Sequence, residues 1–146
     1  EWRKEDIDRY VNLVKYNDSW DINEGIFTYG SDISKRIRNN FLNDKWYNQL
    51  INSSVVVIGS QYPWIEVLLL SIGVRNVTTL EYGTIISDHE QLNWLHPSKL
   101  TKDNQYINSF DHAVTFSSIE HAGLGRYGDP IDPFLDVKSL LQISCL

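Results

Sequence analysis

The sequence predicts an α/β fold built on a doubly wound parallel sheet, and three observations predict it. Val55-Val56-Val57-Ile58 is a run of four β-branched apolar residues, the pattern of a strand covered on both faces. Gly59 follows, then Pro63 and the apolar stretch Trp64 to Ile72, so the strand runs through a sharp turn into a buried helix that Gly73 ends. Beyond it the order strand, weak helix, strand, loop, helix is the alternation that a parallel sheet requires, since each parallel pair needs a crossover.

The elements can be taken in order. Residues 1–51 form a helical lead-in and residues 52–146 the sheet domain. Ile7, Tyr10, Val11 and Val14 recur at helical spacing, with acids in the first turn, and predict an amphipathic helix over residues 5–16. Residues 17–30 mix turn formers with aromatics and have no period, which predicts an ordered loop anchored by Trp20 and Phe27, with a short extended piece at Ile26 to Tyr29. Ser31 can cap a second helix whose stripe is Ile33, Ile37 and Phe41, and Trp46 to Ile51 continue the pattern after a break near Asn43 and Asp44. Lys35, Arg36 and Arg38 lie mostly off the stripe, as a solvated face.

Val77-Thr78-Thr79-Leu80-Glu81-Tyr82 reads as a second strand ending in an acid. Ser87-Asp88-His89-Glu90 has the form of a capping box and predicts a short helix from Asp88 toward Trp94, with a third strand somewhere in Leu92 to Leu100. Ala113 to Phe116 is a further strand. Residues 122–133 hold three glycines and two prolines, an irregular loop in which Asp132-Pro133 prepares the last helix, Asp136 to Leu146.

Composition limits what the chain does. With 146 residues and 42% hydrophobic content it can bury one real core. A net charge of −6 and no basic run argue against a nucleic-acid partner or an anionic membrane surface. No apolar run reaches the length of about 18 residues that a membrane span needs. The single cysteine, Cys145, excludes an intrachain disulfide and a cysteine-built zinc site. The chain has no methionine and its last helix lacks a stop signal, so the expectation is a piece of a longer protein.

In a sheet of this kind a ligand lies beyond the carboxyl ends of the strands, where the strand order reverses. Three segments should meet there: Gly59 to Tyr62, Glu81 to Tyr82, and Ser117 to His121. Glu81 stands 22 positions after Gly59, the interval at which such folds hold a ribose hydroxyl pair on an acid. Phe110-Asp111-His112-Ala113-Val114-Thr115-Phe116-Ser117-Ser118-Ile119-Glu120-His121, read with the Gly59 turn and Glu81, resembles the class I S-adenosylmethionine-dependent methyltransferases over residues 54–146. The resemblance implies a Rossmann-like domain incomplete at its C-terminus, with strands five to seven beyond Leu146. It implies S-adenosylmethionine as cofactor, with Gly59, Ser60, Gln61, Glu81, Tyr82, Ser117 and Ser118 on the cofactor side and a small or carbohydrate-like acceptor. Thr79-Leu80-Glu81-Tyr82, together with the run Ser117 to Pro133, is also similar to the domain of unknown function 268 family, found in nematodes and bacteria; that likeness names a lineage rather than a reaction.

The sequence departs from the methyltransferase pattern in its first turn, where Gly59 stands alone before Ser60-Gln61-Tyr62-Pro63. The interval between the second and fourth strands is short, which predicts a lost or reduced third helix. If acceptor chemistry happens here, His121 is the general base, with Glu120 or Asp129 orienting it, and Arg126 and Asp129 contact the acceptor. Equally open is a loop that Arg126 and Asp129 fold by pairing, with His121 packed beneath it. His121, Asp129 and Asp132 match no standard metal-ligand spacing, and no metal is expected. The alternative to an enzyme is a Rossmann-like module that binds a ligand or partner without catalysis.

Overall fold

The computed structural model describes residues 1–16, 26–27, 29–100 and 104–146. The expected loop over 17–25, its Trp20 anchor and Thr28 lie outside the described residues. Helices α1 (Lys4–Tyr16), α2 (Ser31–Phe41) and α3 (Asp44–Leu50) precede strand β1 (Ser54–Ile58). Helix α4 (Trp64–Ser71), strands β2 (Asn76–Leu80), β3 (Leu92–Leu95) and β4 (His112–Thr115), and helix α5 (Leu135–Ile143) follow. The four strands form one sheet in the order β3-β2-β1-β4, and every pair is parallel.

Strand β1 is central and buried along its whole length, as its unbroken β-branched run requires. Its side chains alternate between two unequal layers. Val55 and Val57 join Val77 and Leu92 under the larger one, formed by α4, by Ile7, Tyr10 and Val14 of α1, and by Leu50. Val56 and Ile58 join Leu80 and Leu95 under a thinner one, made of Leu100, Tyr106, Phe110, Ile119, Ile143 and Leu146. The sheet is thus covered on both faces, but among the described residues the second face carries only short turns and α5. Between β3 and β4 there are two 3-10 turns, Pro97–Lys99 and Asn104–Tyr106, and no α-helix among the described residues, in line with the short interval.

Four expectations need correction. Ser31 is the first helical residue of α2 rather than its cap; Gly30 holds the N-cap position and no side chain caps there. The packing stripe of α2 is turned: Ser34 is buried, Ile37 and Phe41 pack on the core, and Ile33 is exposed. No helix starts at Asp88, because Leu92 must pair with Val77 and the chain enters β3 almost at once. Ser87 still caps a local turn, accepting from the His89 N–H at 3.2 Å, while its hydroxyl donates to the Trp2 carbonyl at 2.9 Å. The last helix begins at Leu135, with Asp132 accepting from the Phe134 N–H ahead of it.

Candidate functional site

In-register pairing of Ile58 with Leu80 and with Thr115 brings the ends of three strands side by side. The segments that follow them wall a single cavity of about 330 Å³, lined by Gly59 to Tyr62, by Glu81 and Tyr82, and by Ser117, Ser118 and His121. The chain leaves β1 toward β2 on one side and returns to β4 on the other, so the strand order reverses above Gly59 and Ser118.

Gly59 has φ of 68°, a left-handed conformation that costs other residues about 1–2 kcal/mol. A Cβ added there would lie 1.8 Å from the Ser118 hydroxyl oxygen. Ser117, with φ of 47°, turns the chain after β4 and brings Ser118 over the glycine. The two turns are therefore packed backbone against side chain at the point where the sheet switches direction.

Glu81 is buried in the cavity wall. One of its carboxylate oxygens accepts from the Tyr82 and Gly83 N–H groups at 2.8 and 3.3 Å, and the Trp94 indole donates to its carbonyl at 3.0 Å. The two amide bonds hold the carboxylate against the backbone within the cavity wall. The Tyr82 phenol beside it is pushed above its usual range, first by burial and then by the charges of Asp129 and Glu81. Among the described residues no lysine or arginine lines the cavity, and the acidic side chains in its lining are those of Glu81 and Asp129.

The loop after β4 is organised by Asp129, which accepts from the N–H groups of Gly123 (2.7 Å), Gly125 (3.0 Å) and Tyr127 (3.0 Å). Burial pushes its carboxyl up, but the three amide bonds outweigh this and hold it below the usual carboxylate range. Asp129 faces the cavity, yet both of its oxygens are engaged by its own loop. Arg126 does not pair with it; the guanidinium lies over the Tyr127 ring, 5.3 Å from the centroid, outside the cavity lining. His121 lines the cavity from the 3-10 turn Ile119–His121, with Nε2 4.0 Å from Glu120. Glu120 itself is not part of the cavity lining, and a hydrogen bond from its own backbone, with another from Ser117, keeps its carboxyl below the usual range. Asp132 is engaged by Lys138 and by the Phe134 N–H, and no cluster of three or more metal-ligating side chains occurs among the described residues.

Sequence reasoning missed two walls of the site. One is an aromatic corner in which Tyr29, Trp64 and Phe116 meet with ring centroids 4.9 to 5.4 Å apart; Tyr29 comes from a segment without periodicity and stays partly open to solvent, so only its aromatic character hinted at a packing role. The other is the inward face of α5, with Ser139, Gln142 and Ile143, and the turn residues Pro97 and Leu100. Glu66 is a third omission. It is fully buried behind the cavity, where its carboxyl meets the hydroxyls of Thr79 (2.7 Å) and Ser60 (3.0 Å).

Fold and site together define an α/β protein with a four-stranded parallel sheet and a ligand-sized cavity at the carboxyl ends of its strands. The family model described as Caenorhabditis protein of unknown function, DUF268, matches residues 52–146, and the chain belongs to that family. No curated protein and no solved structure matches it. Among the described residues no helix is long and apolar enough to cross a membrane.

Proposed function

We propose that the domain is Rossmann-like and binds S-adenosylmethionine in this cavity for methyl transfer to a small or carbohydrate-like acceptor. The strand order supports the first part, since β3-β2-β1-β4 corresponds to the first half of a doubly wound nucleotide-binding sheet. The observation that carries the ligand class is the lining: a fixed, buried Glu81 beside the Gly59 turn, an aromatic corner, and no lysine or arginine among the described lining residues. A dinucleotide or nucleotide sugar brings phosphates, which call for backbone nests or basic side chains. A nucleoside carrying a sulfonium and no phosphate suits a carboxylate-lined, aromatic cavity better.

When bound, S-adenosylmethionine supplies an electrophilic methyl group. The chain's own residues would do the rest: Glu81 would accept from the ribose hydroxyls, Tyr29 and Phe116 would exclude water, and the His121 imidazole would take the proton that the acceptor releases. Melting the protein with S-adenosylmethionine, and separately with a dinucleotide, tests the reading. Ligand at about 100 times its dissociation constant adds roughly 2.7 kcal/mol, which is expected for S-adenosylmethionine alone and is lost in Glu81→Ala.

The second reading is a non-catalytic module of the same fold. It is favoured by the side chain of Ser118 filling the space beside Gly59, which limits close approach of a ligand to that turn. Absence of any shift with S-adenosylmethionine, together with an unchanged melt in Glu81→Ala, would support this second reading.

A further inference from the structure

Ser60, buried in the cavity wall, has two oxygen partners. Its hydroxyl oxygen is 2.7 Å from the Tyr62 carbonyl and 3.0 Å from a Glu66 carboxyl oxygen. A hydroxyl has one proton, and a carbonyl can only accept. If that proton goes to Tyr62, the contact with Glu66 is a hydrogen bond only when Glu66 is the donor. The other Glu66 oxygen accepts from Thr79 at 2.7 Å, which completes the set. Every short contact in the cluster is thus satisfied by a neutral carboxylic acid, whereas an ionised Glu66 sets two acceptors against one Ser60 proton.

We propose that Glu66 is a positioning residue that holds the Gly59 to Pro63 turn through its acid proton, and that loss of this proton releases Ser60 from Tyr62 and loosens the cavity wall. The groups around it agree. Helix α1 turns Ile7, Tyr10 and Val14 inward, α2 brings Ser34 and the half-buried Arg38, and β2 brings Thr79 and leads into Glu81. Of these Tyr10, Arg38 and Glu81 are titratable, and none supplies a charge that stabilises an ionised Glu66. Burial raises its carboxyl from an ordinary 4.5 to about 7, against the lowering effect of the Thr79, backbone and Ser60 bonds. The inference concerns the turn itself and stands whichever ligand occupies the cavity.

The test is a carboxyl-carbon NMR titration of the isotopically labelled chain, assigned through bonds, between about pH 4.5 and about pH 8.5. Glu66 is expected to titrate near 7, and the amide signals of Ser60, Gln61 and Tyr62 to move with the same midpoint. Glu66→Gln keeps a donor toward Ser60 and an acceptor toward Thr79, so its turn amides should hold the wild-type low-pH positions across the whole range. A Glu66 midpoint in the ordinary carboxylate range overturns the proposal, as do turn amides that ignore the titration. Should Glu66→Gln fail to fold, the wild-type titration alone decides.

Discussion

Gly59 shows how much one missing atom does. Its left-handed φ and the 1.8 Å approach of the Ser118 hydroxyl leave no room for a methyl group. Gly59→Ala should therefore destabilise by about 3 kcal/mol, combining backbone strain with overpacking. Adding Ser118→Gly removes the clash but not the strain, so urea denaturation of the double variant should recover part of the loss. Glu66 makes a second prediction at this scale. Its folded-state pKa of about 7 lies above the ordinary 4.5, so the folded chain holds the proton more tightly than the unfolded one. Its neutral form costs nothing below the unfolded value, and stability then falls as pH rises from 4.5 toward 7. The total is about 3 kcal/mol, seen as a declining melting temperature that Glu66→Gln abolishes. Asp129 has the opposite sign, since its carboxyl is depressed; its contribution is lost only as pH falls below the usual aspartate range.

Among the elements, α4 and α5 are opposites. Every residue of α4 is buried, including Glu66 and Ser71, because the helix lies between the sheet and α1 with α2. Leu68→Ala should cost about 3 kcal/mol in chemical denaturation, the usual penalty for a methyl-lined void in a close-packed layer. Helix α5 has no fully buried residue; Val137, Leu140 and Leu141 are all exposed, as is Phe134 just before it. Leu141→Ala should change stability by less than about 0.5 kcal/mol. The sequence suggested this contrast for α4, whose apolar residues run all round, but for α5 it showed only apolarity. Apolar spacing reports what a helix is able to bury, while the thin second layer decides how much of it is covered. The same limit explains α2, where Ser34 takes the core position that a pattern of isoleucines assigns to Ile33.

At the scale of the whole molecule, the lead-in is part of the core rather than an appendage. Ile7, Tyr10 and Val14 pack with α4, Trp2 pairs with Ser87 beside the sheet, and Lys4 and His89 meet Asp8 at 3.0 and 3.4 Å. Removing residues 1–16 should uncover α4, lower the melting temperature and raise binding of an apolar dye. What was legible in the sequence was everything set by a strong local pattern: the buried β1, the glycine turn, the acid after β2, the strand before Ser117. The parallel order and the meeting of these turns followed from alternation alone. The aromatic corner and the Glu66 cluster were not legible, because they depend on which side chains from distant segments arrive at one place, and no single-segment period encodes that. The capping box at Ser87 failed for a related reason: strand pairing with β2 outweighed a local helix signal.

Contact between Gly59 and the Ser118 side chain ties two segments far apart in sequence into one unit of inheritance. A family member with any side chain in the glycine's place should have given up the hydroxymethyl group opposite, and a larger residue at the serine's place should never occur without glycine facing it. An alignment in which these two columns vary independently would mean that the turns can part, and that the sheet's switch point is looser than the packing here requires.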